Sequence, residues 1–421
     1  MKPRTCIIGA TIAMALGTAS PGQEMIERLS DRLNFHSGDG KMQLRLSGTF
    51  ELEGYAISDP VADLVSGSAD KFFNPRLGLY LDAQLGERGY FFAQGRVDRG
   101  FDPYYPDKQT EARLDEFALR MELSEPGTGR LFLQAGKFAT VVGNWTKRHA
   151  AWDNPFITAP LPYGNLTGVW DVFPVPAVDV LLAWAHVSPV DTAQDVLADK
   201  QFRLPVIWGP AYAQGVVVAG KWGRFEYAGE MKAVGLSARP DRWGEGFSTL
   251  ERPTLSARLG WRPDPNWNLG FSASTGEYLD RSQHPRIPAG LSRHDYRQIV
   301  LAHDVSYAWH HFQFWGEVYA ARFEVPRVAD VDTMAYYLEA KYRFTPQFSG
   351  AIRWNQQWFG DVTNRVGASL PAGRQTWRVD VAPTYRLTTQ VQLKLQYSLQ
   401  HDRPSRERYT QSLSAQLTVR F

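Results

Sequence analysis

Near its end the chain alternates strictly. Leu413, Ala415, Leu417, Val419 and Phe421 fall on one side of an extended backbone, and Ser412, Ser414, Gln416, Thr418 and Arg420 on the other. Successive side chains of a strand point to opposite faces, so this segment predicts a strand with one apolar and one polar face. The pattern recurs back to about Met42. One apolar side reads Leu77, Leu79, Leu81, Ala83, Leu85, and another Phe225, Tyr227, Gly229, Met231, Ala233, facing Glu226, Glu230 and Lys232. Leu255, Ala257, Leu259 and Trp261 oppose Ser256, Arg258 and Arg262, and Trp267, Leu269, Phe271 and Ala273 oppose Asn268, Ser272 and Ser274. Trp377, Val379, Val381 and Tyr385 oppose Arg378, Asp380, Thr384 and Arg386, while Val391 to Leu399 alternates with Gln392, Lys394 and Gln396. A helical period would set Lys394 among the leucines, which excludes a helix for that segment.

Many long alternating strands rich in aromatic residues predict an all-β fold, an antiparallel transmembrane β-barrel with its apolar face on lipid and its polar face on a lumen. Single-chain bacterial barrels have even strand numbers, so the pattern predicts 16 strands, with 18 as the alternative. Connections alternate in length, as they do when one rim faces the periplasm. Short ones fall at Gly86–Gly89, Pro263–Asn266, Thr345–Gln347 and Thr388–Thr389. Long ones are expected at Ser58–Asn74, Asp98–Ala112, Ala139–Pro176, Ser188–Ala211, Gly235–Arg252, Leu279–Tyr296 and Gly360–Gln375. Trp261, Trp267, Tyr307, Trp309, Tyr342 and Trp358 stand at strand ends, where an aromatic girdle meets the lipid–water boundary.

The amino-terminus points to the same compartment. Lys2 and Arg4 precede an apolar run, Cys6 to Leu16, and small residues follow, so residues 1–19 read as a secretory signal peptide. Residues 20–40 read as a periplasmic lead-in, with a short helix or an irregular segment over Gln23–Phe35, and 41–421 as the outer-membrane barrel. Outer-membrane lipid is the expected partner. Cys6 is the single cysteine, which excludes disulfides and cysteine metal clusters from the mature chain. A mean hydropathy of −0.35 suits a barrel, in which only alternate residues meet lipid, and a net charge of +2 gives no reason to expect nucleic acid.

Candidate chemistry gathers in the Ala139–Pro176 connection, which holds Trp145, Lys147, Arg148, His149, Trp152 and Asp153 between stiffening prolines. A long ordered connection is usually functional, and this one is expected in or across the lumen, where its cations narrow the channel and attract anions. The alternative is an exposed loop with solvated charges. Inward strand positions are expected to add Arg96, Arg120, Lys137, Arg258, Arg353, Arg378 and Arg386 against Asp98, Glu116, Glu122, Glu226, Glu230, Glu317, Glu339 and Asp380. Most of these make a mixed lumen of cross-strand partners. No cofactor or metal pattern is present, and His310 and His311 fall on opposite strand faces.

Leu114-Asp115-Glu116-Phe117-Ala118-Leu119-Arg120, a turn at Pro126-Gly127, and Gln134-Ala135-Gly136-Lys137-Phe138 with Gly143 beyond resemble the phosphate-selective porin O/P-like family. The resemblance implies a sixteen-stranded homotrimeric porin passing anions through an arginine-lined constriction. A passive porin for small hydrophilic or anionic solutes is therefore the expected function, and no enzyme. Two alternatives stand beside it: a barrel plugged by its loops with a binding or structural role, and an outer-membrane hydrolase using the His186-x-Ser188 pair.

Overall fold

The computed structural model describes residues 33–58, 71–99, 110–124, 129–172, 174–186, 202–243, 250, 252–280, 287–403 and 409–421. The expected signal peptide, residues 1–19, and most of the expected lead-in lie outside them. Alternation becomes architecture directly: β2 (Met42–Ile57), β3 (Lys71–Leu85), β4 (Gly89–Asp98), β5 (Glu111–Glu122), β6 (Arg130–Phe138), β7 (Ala213–Trp222), β8 (Phe225–Lys232), β9 (Thr254–Trp261), β10 (Trp267–Glu277), β11 (Arg297–Trp309), β12 (Phe312–Val325), β13 (Ala329–Arg343), β14 (Phe348–Phe359), β17 (Gln375–Arg386), β18 (Val391–Arg403) and β19 (Thr410–Arg420) pair antiparallel in chain order. β19 pairs back onto β2, with Leu417 opposite Leu52, and the 16-stranded sheet closes without an edge. A short strand, β1 (Asn34–His36), adds to the start of β2, and β15 (Asp361–Thr363) and β16 (Ser369–Pro371) form a small hairpin beyond β14.

The outward set is Leu79, Leu255, Leu259, Phe271, Ile352, Leu395, Leu413 and their neighbours, all exposed, with an aromatic belt at one end that includes Trp261, Trp267, Trp309 and Tyr342. An exposed apolar band on a closed barrel is a lipid-facing surface, and this architecture belongs to the bacterial outer membrane. Connections at 86–88, 223–224, 262–266, 310–311, 344–347 and 387–390 share one rim, and their shortness makes it the periplasmic one. The other rim carries the long connections, except that 326–328 joins β12 to β13 in a tight turn.

One expectation changes. The connections expected at Ala139–Pro176 and Ser188–Ala211 are parts of a single connection, residues 139–212, from β6 to β7. Between them lies no strand but a helix, α1 (Val178–His186). Val178, Leu181, Leu182 and Ala185 are its buried residues, and their i, i+3, i+4, i+7 spacing makes one helical face. That face packs inside the barrel against Phe323, Val325, Val331 and Phe359. His186 therefore ends a helix, its Nε2 2.9 Å from the Pro371 carbonyl oxygen, and Ser188 lies outside the described residues.

Candidate pore constriction and lumen cavities

The described parts of the 139–212 connection, residues 139–172, 174–186 and 202–212, lie inside the barrel and are held there by charged and polar side chains from the wall. On β8, Glu230 accepts from Thr140 Oγ1 (2.5 Å) and the Val141 amide (3.1 Å). Lys232 donates to the carbonyls of Phe138 (2.6 Å) and Ala211 (3.1 Å), tying both ends of the connection together. Glu317 on β12 accepts from the amides of Asn144 (2.5 Å) and Trp145 (2.6 Å) and from the hydroxyls of Tyr163 (2.7 Å) and Tyr319 (2.8 Å). Gly143 sits where this works: its φ of 74° favours glycine, and a Cβ would strike the two tyrosine hydroxyls. Further on, Lys394 of β18 donates to the carbonyls of Ala151 (2.8 Å) and Asn154 (2.7 Å), and Gln396 accepts from the Ile157 amide (2.6 Å). Each buried charge thus satisfies backbone groups of an irregular segment that has no ladder of its own.

Packing completes the anchorage. Val142, Trp145, Tyr163, Val206 and Ile207 form a cluster with Val300, Ala302, Tyr319, Ala321 and Tyr337 of the wall. The connection is an ordered plug over much of the lumen. Residues 145–153 separate two cavities. The upper, toward the long-loop rim, has a volume of about 200 Å³ and is bounded by Glu51, Glu53, Arg76, Arg96, Arg113 and Asp115 on β2–β5, with Trp145, His149, Trp208 and Tyr212 from the plug. The lower, at the periplasmic end, measures about 540 Å³ and is bounded by Lys147, Arg148, Trp152 and Asp153 from the plug, with Lys341, Arg343 and Arg386 from the wall.

The two cavities differ in charge. In the upper one, Arg76 pairs with Glu51 (2.7 Å) and also with Glu53, Arg96 pairs with Asp115 (3.0 Å), and Arg113 reaches Asp115 (2.7 Å) and Asp98. A β-bulge between Gln94 and Gly95 sets Asp115 and Glu116 side by side toward the lumen, where Arg96 meets the first and the Ala139 amide the second (3.2 Å). Three arginines thus pair with four carboxylates, which leaves one negative charge in excess. The lower cavity sets five lysines and arginines around the single carboxylate of Asp153, with Arg148 further held by Glu339 at 2.6 Å.

The expected site residues therefore divide. Trp145, His149 and Arg96 border the upper cavity, and Lys147 and Arg148 the lower. His149 has a defined tautomer: Nδ1 lies 2.5 Å from the Thr146 carbonyl, which can only accept, so Nε2 accepts from Tyr212 Oη at 2.6 Å. Burial pushes its imidazole down to about 4. Arg120 points inward lower on β5, donating to Gln134 and lying over the Phe132 ring. Arg258 is buried in an ion pair with Asp304 (2.7 Å). Arg353 is fully buried behind the plug, bound to Asp380 (2.8 Å) and stacked on Phe156. Lys137 is a correction: Gln134, Gly136 and Phe138 turn inward, so Lys137 turns outward with its cross-strand neighbour Phe117, and its Nζ donates to the Leu114 carbonyl.

Sequence reasoning missed Arg76, Arg113, Lys341, Arg343, Tyr212 and Trp208 as cavity residues. Strand parity alone would have placed Arg76, Lys341 and Arg343 inward, while Arg113 turns inward only because of the bulge at Gln94–Gly95. The plug itself left a signal: Val300, Ala302, Ala321, Phe323 and Val331 are apolar on what should be the wet face, as in strands buried on both sides.

No family model and no curated protein matches the chain. Several solved structures share its fold. The anion-selective porin from Comamonas acidovorans aligns at 9% identity over 90% of this chain and 100% of its own, with a TM-score of 0.52. The outer membrane channel DcaP of Acinetobacter baumannii aligns at 9% identity over 92% and 99%, with a TM-score of 0.53. The trimer form of in-vitro folded OmpT, an outer membrane protein of Vibrio cholerae, aligns at 8% identity over 90% and 100%, with a TM-score of 0.53. The chain is thus similar in fold to outer-membrane porins and channels, and at such identity the likeness extends to the fold alone.

Proposed function

We propose that this chain is a passive outer-membrane porin, of the phosphate-selective O/P-like kind, in which the 139–212 plug narrows a sixteen-stranded barrel and the periplasmic vestibule biases passage toward small anions. The observation that carries this reading is the lower cavity, where Lys147, Arg148, Lys341, Arg343 and Arg386 face Asp153 across about 540 Å³. Cationic walls concentrate anions and repel cations, and a water-filled vestibule lets them leave again. Arg96 and Arg148 act beside the constriction, and Arg353 and Arg258 hold its wall and plug. The trimer form of OmpT and the family resemblance support a homotrimer.

The test is single-channel conductance of the refolded protein in a planar bilayer under a potassium chloride gradient. Open steps with an anion-biased reversal potential are expected, with Lys341→Gln combined with Arg386→Gln moving that potential toward zero. A folded, inserted and silent protein would overturn the reading. The packed plug favours one second reading, a closed barrel with a binding or structural role, and silence would select it.

A further inference from the structure

The lipid-facing wall is not evenly filled. On β12 the outward side chain falls to a methyl group at Ala320, while Leu301 of β11 and Met334 of β13 stand directly across from it on either side. Ile299 lies above Leu301 on one bank, and Trp358 of β14 lies beside Met334 on the other. Arg322, ion-paired with Asp332 (2.7 Å) and Asp330 (3.3 Å), closes the top. These residues bound a groove of about 560 Å³ on the outside of the barrel. Ile299, Leu301 and Met334 are 39%, 46% and 47% exposed, so the groove opens to the membrane.

Height decides what meets it. Phe312 pairs with Trp309 and Tyr342, at the periplasmic aromatic belt. At roughly 3.3 Å per residue and a tilt of about 40°, Ala320 stands about 20 Å above Phe312 and Arg322 about 25 Å, the height of a barrel's apolar band. The groove therefore lies in the outer leaflet, with Arg322 and Asp332 at headgroup level. Trp358, stacked on Tyr336 at 5.5 Å, marks the same boundary. Around this mouth the exposed Arg297 and Arg327 join Arg322, and Glu324 joins Asp330 and Asp332.

We infer that the groove seats one acyl chain of a phosphorylated disaccharide lipid of the outer leaflet, the lipid A class, with the sugars on Arg322 and Asp332 and a phosphate toward Arg297 and Arg327. The groove is continuous with the barrel's lipid contact, so its occupant is a chain from that leaflet. Its mouth alternates guanidiniums with carboxylates, which accept from hydroxyl and amide groups as readily as the arginines donate. A lone phosphodiester headgroup would meet as many carboxylates as guanidiniums. A sugar headgroup uses both. The inference needs only the outer-membrane barrel and holds whether or not the lumen conducts.

The experiment titrates the refolded full chain in zwitterionic detergent with purified lipid A, and with phosphatidylglycerol for comparison. It reads the temperature at which heat-modifiable migration on a gel is lost. Lipid A is expected to raise that temperature saturably, and phosphatidylglycerol to leave it unchanged. Ala320→Trp, which fills the groove, should raise the half-saturating lipid A concentration at least fivefold. Arg322→Gln combined with Asp332→Asn, which keeps the groove and removes charges at its mouth, should do the same. Leu413→Trp, on another exposed stretch of the lipid face, should not. Native migration checks folding, and either folded groove variant suffices. Equal effects of the two lipids, or of Ala320→Trp and Leu413→Trp, would overturn the inference. So would an oligomer lost in Ala320→Trp with lipid A binding intact, since a second copy would then cover this wall.

Discussion

Glu317 is an acid buried inside a barrel, and among the described residues its carboxylate is held by two amides and two phenols rather than by a cation. Four donors replace water around the charge, which is how a lumen wall grips a loop that must not slide. His149 is held in the opposite manner, as a neutral ring whose protonation would cost the Tyr212 hydrogen bond. Its pKa lies at about 4 in the packed plug, against 6.5 ordinarily. Above that ordinary value neither packed nor open plug binds the proton, and packing is at full strength. As pH falls from about 6.5 toward about 4, the open state takes the proton first, and packing loses at most about 3 kcal/mol. Tryptophan emission of the wild type is therefore expected to shift across that window, and His149→Gln to flatten the shift. Identical acid profiles would remove His149 from the account. At this scale the sequence named Trp145, Lys147, Arg148 and His149 correctly as neighbours of one loop. It could not say that Trp145 and His149 border one cavity and Lys147 and Arg148 the other, because that depends on turns of an irregular backbone.

In the strands, parity decides everything. Leu395 looks out to lipid from the middle of β18, while Gln84 looks into the lumen near the periplasmic end of β3. Arginine at the first position is expected to cost about 2–4 kcal/mol, as charges on the lipid face near mid-membrane do. Gln84→Arg should leave the urea midpoint nearly unchanged. Equal losses in both variants would mean that the faces are assigned wrongly. Lys137 shows how parity is misread from a single motif: its strand is short, and a basic residue beside Gly136 looked like part of a pore lining. Helix α1 shows a different failure. Its apolar residues at 178, 181, 182 and 185 carry a helical period, yet a nine-residue segment inside an expected barrel is easily taken for one more strand.

For the whole molecule, a sixteen-stranded barrel has room for an aqueous channel, and here most of that room is taken by one connection. What remains is an upper chamber of paired charges, with four carboxylates to three arginines, and a basic vestibule below; the proposed porin would owe its ion preference to the periplasmic end. Debye screening falls from about 10 Å at 0.1 M salt to about 3 Å at 1 M, and the vestibule is wider than the latter reach. Anion bias measured at low salt should therefore shrink markedly at 1 M, and a bias independent of salt would place selectivity at a dry contact instead. The sequence by itself determined the barrel and its membrane and favoured sixteen strands over eighteen, because the two-residue period of a strand is local and each residue declares its face. It also marked the Ala139–Pro176 stretch as an ordered connection, through length, prolines and cations. Only the tertiary structure decided where that loop goes, that the described parts of residues 139–212 pack as one plug, and which arginines meet which carboxylates. Those contacts join residues far apart in the chain, such as Arg148 with Glu339 and Ile157 with Gln396, and no local period encodes a partner at that distance.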